Sequence, residues 1–334
     1  MTADGTMKVF VTGGNGFVGL NVVSALVSSG HEVVAVVRPE SNTTYLEPFG
    51  VRIVRGHLDN IAALTDAMRG ADAVIHTAGN TSCNWRDLPQ LEAINVRGTH
   101  NVVEAALAAG VGRLVYTSTT STIGAYDDES RVADETVPLT GYRARSPYAV
   151  TKRKAEETVL AAGARGLETV ILNPAEVVGR YDYNLQWGRL LLAAQYDQVP
   201  FKPPGGASFC AAAAVGHAHV SALTMGRPGE RYLLGGENIR FSRFMDVVAD
   251  VLGKRLRIPA VNYRWRYLKA VAKEKFGPLV PGTPAIEPYR MRVMGCTYYY
   301  DSGKAERELG YRSVPIEQMV RDCAEWYRNN GFIG

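Results

Sequence analysis

Lys8-Val9-Phe10-Val11-Thr12-Gly13-Gly14-Asn15-Gly16-Phe17-Val18-Gly19 is a short apolar strand that runs straight into a glycine-rich turn and then into a helix. Three glycines spaced three apart have separate tasks in such a turn. Gly13 makes the tight reversal, Gly16 lets the backbone approach a pyrophosphate, and Gly19 lets the new helix pack closely. The free amides at the helix N-terminus then face an anionic ligand. Glycines are common in turns, so the strand before and the helix after carry the reading.

Outward from this turn, short β-branched runs alternate with helical patterns. The runs are Val9–Val11, Val33–Val37, Val51–Val54, Ala73–His76, Leu114–Thr117 and Thr169–Leu172. The spacing predicts helices over Phe17–Ser29, stopped by Gly30, and over Val96–Ala109, stopped by Gly110. Strands that are continuous apolar runs are buried on both faces. This predicts an α/β fold, a Rossmann-type doubly wound parallel sheet, with a smaller C-terminal substrate-binding region. The expected division is a dinucleotide-binding domain over 1–180, to which 211–235 returns, and a mainly substrate-binding region over 181–334. Arg231–Leu234 reads as the returning strand, and Ile316, Met319, Val320, Cys323 and Tyr327 mark a closing helix after Pro315.

Bulk composition narrows the function classes. With 334 residues, 46% hydrophobic, the chain has the makeup of a soluble globular protein. A net charge of +4, spread along the chain, gives no reason to expect nucleic acid. The apolar stretch Met7–Leu26 lacks a basic lead-in and is broken by the glycine turn, so it fits neither a signal peptide nor a membrane span. The expectation is a cytoplasmic protein with no integral membrane segment. Cys83, Cys210, Cys296 and Cys323 are far apart and read as reduced thiols.

Tyr148-Ala149-Val150-Thr151-Lys152 supplies a second motif. Tyr148 and Lys152 are four apart and share one face of a helix. A phenol titrates near ~10, and an ammonium one turn away is expected to favour the phenolate. Lys152 can also reach a ribose hydroxyl. On its own Y-x-x-x-K is weak; downstream of a dinucleotide turn it points to a nicotinamide enzyme.

Taken together, Thr12–Gly19, Asn95-Val96-Arg97-Gly98-Thr99 and Tyr148–Lys152 resemble the T-G-x-x-G-x-x-G, N-V-x-G-T and Y-x-x-x-K motifs of the extended short-chain dehydrogenase/reductase superfamily. The resemblance spans nearly the whole chain. Gly229–Asn238 and Lys304–Tyr311 are similar to its dihydroflavonol-reductase-like branch, and to the set described as hopanoid-associated sugar epimerases. The resemblance implies Thr119, at the end of the run Leu114–Thr119, as the hydroxyl that binds the substrate oxygen beside Tyr148, with Ser118 and Ser121 as flanking alternatives. It implies Tyr148 as general acid or base and Lys152 as the ribose-holding group. It extends the cofactor set to Asn15, Phe17, Val18, His57, Leu58, Thr77, Ala78, Gly79, Asn173 and Pro174. His57 stands where many relatives have an Asp near the adenine, and is either an adenine-edging group or an exposed loop histidine. Cys210–Val215 replaces a family V-H-V-D-D-V and is expected to leave an apolar floor between the domains.

Cofactor choice is read at the end of the second strand. Val36-Val37-Arg38-Pro39 lacks the acid that holds a ribose 2′-hydroxyl, and Arg38 suits a 2′-phosphate, so NADP(H) is expected. The substrate pocket is expected from Trp85, Tyr126, Glu176, Tyr181, Tyr183, Trp187 and Phe209, a lining suited to a largely apolar small molecule. The leading function is an NADP-dependent reductase of a ketone or aldehyde. The alternatives are an NAD(P)-dependent epimerase of a sugar or nucleotide sugar and a non-catalytic NADP-binding regulator. A homodimer is compatible with the resemblance.

Three signals carry less. His217 and His219 point to different faces of a helix, so no metal is expected. Tyr263–Phe276 reads as an amphipathic helix whose stripe Trp265, Leu268, Ala272 and Phe276 packs on the second domain, with an acidic carrier, coenzyme A or a membrane surface as other partners. Tyr298-Tyr299-Tyr300 reads as a strand alternating between core and pocket.

Overall fold

The structure, a computed structural model, describes residues 5–259, 261–277 and 286–333. In chain order the first half contains β1 (Lys8–Thr12), α1 (Phe17–Ser28), β2 (Glu32–Val37), β3 (Arg52–Arg55), α2 (Ile61–Met68), β4 (Ala73–His76), α3 (Leu88–Leu91), α4 (Thr99–Ala108), β5 (Arg113–Thr117), α5 (Pro147–Ala161) and β6 (Glu168–Pro174). The second half contains β7 (Glu176–Val178), α6 (Gly188–Gln195), β8 (Gly206–Ala211), α7 (Ala212–Ser221), β9 (Glu230–Leu234), β10 (Glu237–Arg240), α8 (Phe241–Leu252), α9 (Tyr263–Phe276), α10 (Pro288–Met294), β11 (Thr297–Tyr298), α11 (Gly303–Leu309) and α12 (Ile316–Asn329).

Seven strands form one parallel sheet in the order β3-β2-β1-β4-β5-β6-β9. This is the doubly wound architecture that the alternation of runs and helices requires. Side chains of successive strand residues point to opposite faces, and both faces are covered. Val9 and Val11 enter a core with Leu20 and Val23 of α1 and Val215 of α7. Phe10 between them enters the opposite core with Leu64, Val102 and Val159 from α2, α4 and α5. Each fully buried Val or Leu contributes about 1.5–3 kcal/mol, which is why these strands carry no polar alternation. Gly30 (φ 79°) and Gly110 (φ 72°) end their helices in the left-handed region, as their positions predict.

The helix expected from Val96 begins earlier. Glu92–Gly98 is a stretch of π-helix running from α3 into α4. Such wide turns reposition a side chain and recur at functional sites. Here the side chain is Asn95, whose amide donates to Asn80 O (2.9 Å) and Thr151 Oγ1 (3.1 Å), tying the loop after β4 to α5.

A second, smaller sheet has β10 and β11 on either side of β8, with β7 also paired to β8. Its core is built with α6, α8 and α12, around Phe209, Phe244, Met319 and Tyr327. Tyr298-Tyr299-Tyr300 is less regular than expected: only Thr297–Tyr298 is strand, and Tyr300 makes an isolated bridge to Ala133.

Candidate active site

The sheet order reverses between β1 and β4, and the crevice above their C-terminal ends is where ligands enter sheets of this kind. The turn between β1 and α1 fills one wall. Gly13 has φ 69°, and a Cβ there would lie 2.6 Å from Ala78 N. A Cβ on Gly19 would lie 2.0 Å from Gly13 O. Neither position admits a side chain. Gly19 thus serves close packing against the turn itself, more than against the strand. Gly16 is looser, with a Cβ meeting only Gly13 O at 3.2 Å. No side chain caps α1 and its first turn holds no acid, so its amides remain available to an anion. The loop after β4 is strapped to the same turn: Thr77 Oγ1 donates to Thr12 O (2.7 Å) and Ala78 N to Thr12 Oγ1 (3.3 Å). This cradle fits a dinucleotide pyrophosphate.

At the end of β2 the exposed Arg38 pairs with Glu40 (3.4 Å), an acid two residues further on. Arg55, at the end of β3, donates to Pro39 O (3.0 Å) and Ser41 O (2.9 Å), ordering the loop that carries Arg38. Arg55 was not anticipated, because only the spatial pairing of β2 with β3 brings it there. Asn15 reaches Asn42 O in this loop (3.5 Å). His57 is exposed, whereas Leu58 lies under Gly98.

The three groups expected to be catalytic, Thr119, Tyr148 and Lys152, meet between the end of β5 and α5. The Thr119 hydroxyl is hydrogen-bonded to the Tyr148 phenol. Ser118 turns away and donates to Glu156 Oε1 (2.5 Å), which separates the two neighbouring hydroxyls. Lys152, only 3% exposed, donates to Thr117 O (2.7 Å) and lies 4.1 Å from the centre of the Tyr116 ring. Burial lowers Lys152 to about 7, opposed by the charge of Glu156. Burial also pushes the Tyr148 phenol above its ordinary value, with the Cys83 thiol adding to that rise, and the Thr119 hydrogen bond opposes it. The expected depression of the phenol by Lys152 is therefore corrected: desolvation sets the direction of its shift, and the Lys152 ammonium donates to Thr117 O instead.

Glu156 continues the Tyr148–Lys152 face by one more turn. Besides Ser118, its Oε1 accepts from Thr122 Oγ1 (2.7 Å) and Asn173 Nδ2 (2.8 Å), and Oε2 lies 3.5 Å from Arg231 Nε of β9. Asn173 also donates to Thr119 O (3.0 Å), and Pro174 follows it, buried, at the end of β6. One carboxylate thus joins β5, β6, β9 and α5 directly beneath the reactive hydroxyls.

Of the expected pocket residues, Glu176 lies near Tyr148 and is held by Trp187, whose Nε1 donates to its Oε2 (2.8 Å). Burial raises the Glu176 carboxyl. Trp187 itself packs into the second core, stacked on Phe241 at 5.7 Å. Phe209 is corrected from pocket to core: it is fully buried and stacked on Phe244 at 4.5 Å, because the β8 register turns it inward. Tyr181 packs edge-on against Trp326 and Phe49, and Tyr183 donates to Asn15 O (2.5 Å), so both belong to the glycine-turn side. Tyr126 lies under the Arg131 guanidinium (3.4 Å), and Trp85 is 55% exposed. Residues near Tyr148 and Glu176 that sequence reading missed are Cys83, Arg143, Tyr289 and Arg290. Tyr289 stacks on Tyr142 at 5.2 Å, a contact between distant segments that no local pattern announces.

Cys210–Val215 is an apolar segment between the two cores, with Ala214 packed against both. Cys210, Ala211, Ala212 and Val215 are buried where α7 crosses α1, and Gly216 is so close that a Cβ would lie 2.4 Å from Asn21 O. His219 is a core residue: Nδ1 donates to Val215 O (2.8 Å), Nε2 accepts from Thr117 Oγ1 (2.7 Å), and burial lowers it to about 4. His217 is exposed. Among the described residues no three His, Cys, Asp or Glu side chains are grouped to hold a metal. No described helix is long and apolar enough to cross a membrane.

A family model described as the NAD dependent epimerase/dehydratase family matches residues 9–235. The chain is 31% identical over 97% of its length to a putative dihydroflavonol 4-reductase of Synechocystis, covering 95% of that protein. It is 32% identical over 94% of its length to the 2-alkyl-3-oxoalkanoate reductase of Stenotrophomonas maltophilia, covering 98% of it. Among solved structures, that of gox2253 superposes with a TM-score of 0.86 at 28% identity, over 98% of this chain and all of the other.

Proposed function

The chain belongs to the NAD-dependent epimerase/dehydratase family of the extended short-chain dehydrogenase/reductases, and from that premise we propose that it is an NADP-dependent carbonyl reductase. The observation that carries the reading is the Thr119–Tyr148 hydroxyl pair, with Lys152 buried one turn behind it. The Tyr148 phenol carries its proton at neutral pH, as a group that supplies one must, and the Thr119 hydrogen bond offsets part of the rise by which burial weakens it as an acid. The cradle of Gly13, Gly16 and Gly19 would hold the pyrophosphate, Lys152 the nicotinamide ribose, and Arg38, on the loop ordered by Arg55, the 2′-phosphate. When bound, the coenzyme supplies the hydride. Tyr148 then donates its proton to the carbonyl oxygen, and the Thr119 hydroxyl donates a hydrogen bond to the same oxygen. Two curated relatives carry reductase names, which supports this direction of reaction.

The substrate proposed is a small to medium ketone or aldehyde of largely apolar surface. A second reading, epimerisation of a sugar or nucleotide sugar, is favoured by Arg189 and Arg290, which are near enough for their charges to oppose each other. Such a guanidinium pair suits a diphosphate. One experiment separates the two: NADPH oxidation against a panel of ketones and aldehydes, with nucleotide sugars assayed for epimers in parallel. Steady NADPH consumption with a ketone is expected, and Tyr148→Phe should lower it by roughly 10²-fold or more while leaving coenzyme affinity intact. Epimer formation without net NADPH oxidation would overturn the reading.

A further inference from the structure

Helix α9 turns the wrong way for its sequence pattern. At roughly 100° per residue, Trp265, Leu268, Ala272 and Phe276 fall within about 80° of each other, and the stripe was expected to pack inward. Instead the inward face is Tyr263, Tyr267 and Ala270, packed on Phe201, Met291 and Ile286. The stripe faces out, with Trp265 71%, Leu268 53% and Phe276 53% exposed. Cations flank it on both sides: Arg266, Lys269 and Lys273 along one edge, Arg264 and Lys275 along the other, with Glu274 the helix's one acid. Asn262 caps the helix by accepting from Arg264 N (3.0 Å) and Trp265 N (3.3 Å), so the stripe is fixed at its first turn.

We propose that α9 is an interfacial anchor that docks the protein on an anionic lipid bilayer. Exposed Trp, Leu and Phe on one face of a helix, bordered by Lys and Arg, match the boundary between acyl chains and anionic headgroups. A second copy of this chain is a poorer occupant, because a two-fold contact here would bring the two rows of cations together. The position of α9 adds to the case. Tyr263 donates through its hydroxyl to Met291 O of α10, and Tyr289 of that helix stacks on Tyr142 beside the catalytic segment. The anchor therefore lies one helix away from the pocket, where an apolar substrate leaving a bilayer would arrive. The docking itself stands without the reductase reading.

The test is flotation of the full-length protein with vesicles of phosphatidylcholine alone or mixed with phosphatidylglycerol, using no substrate or coenzyme. The protein is expected to float with the mixed vesicles only, and less so as salt is raised. Trp265→Ser combined with Leu268→Ser should abolish flotation while leaving the melting curve unchanged. Lys269→Ala and Lys275→Ala should each weaken it roughly fivefold, the factor equivalent to about 1 kcal/mol per basic residue at an anionic surface. Absence of flotation by the unaltered protein, or flotation indifferent to these variants, would overturn the proposal. So would a loss of self-association in the Trp265→Ser, Leu268→Ser protein with no vesicle binding by either form, which would assign the face to a second copy.

Discussion

Glu156 acts on the proposed catalytic cluster through Lys152, without itself being placed against a substrate. Its charge opposes the burial that brings Lys152 to about 7, so the lysine is protonated below that pH and neutral above it. A protonated Lys152 is the form that favours a ribose oxygen and a developing phenolate. Activity carried by the free enzyme, kcat/KM, should therefore fall as pH rises through about 7. Glu156→Gln removes the opposing charge, lowers Lys152 further, and should move that limb to lower pH. A variant that loses rate at every pH without moving the limb would show Glu156 to be only a structural tie. The Tyr148–Lys152 face was legible from a four-residue spacing. Glu156 was not, although it repeats that spacing, because a glutamate in a helix with several charges reads as solvent-facing. Only the closure of β5, β6 and β9 over α5 buries it.

At the scale of elements, the loop between β2 and β3 should decide the coenzyme. Arg55 orders three carbonyls of that loop, and Arg38 presents its guanidinium from it, partly engaged by Glu40. NADPH is expected to bind more tightly than NADH, and Arg38→Ala should erase most of the difference, since a charged hydrogen bond is worth ~1.5–3 kcal/mol. Equal affinities in the unaltered protein, measured by titration, would count against it. Strands and glycine stops could be read along the chain because their causes are local: β-branching, apolar runs, and positive φ at Gly30 and Gly110. The facing of α9 could not. Periodicity finds an apolar stripe, yet this helix has two, and tyrosines on the opposite side won the contact with Phe201 and Met291. Phe209 was misjudged for a related reason. An aromatic between loops looks the same whether it lines a cavity or closes a core.

For the whole molecule, alternation of strand and helix was sufficient to foresee the parallel sheet, since β1 to β6 follow one another in the chain with helices or a loop between them. The smaller sheet escaped because β7, β10 and β11 are short and its four strands are drawn from segments far apart. The chain also crosses between the two sheets more than once. It leaves the large one after β6, builds β7, α6 and β8, then returns with α7 against α1 and β9 against β6. This itinerary bears on how the protein is made. When Pro174 has left the ribosome, one edge of β6 is still unpaired and the buried face of α1 still lacks its cover. Both wait until Leu234 emerges, long after the glycine turn has formed. A fragment of residues 1–180 should accordingly show no cooperative melting transition and should aggregate through that open edge. A soluble, sharply melting fragment would show that the early segment stands by itself. Until the returning strand arrives, the nascent chain carries a finished phosphate cradle on an unfinished sheet, and its synthesis is a period of exposure that a chaperone would have to cover.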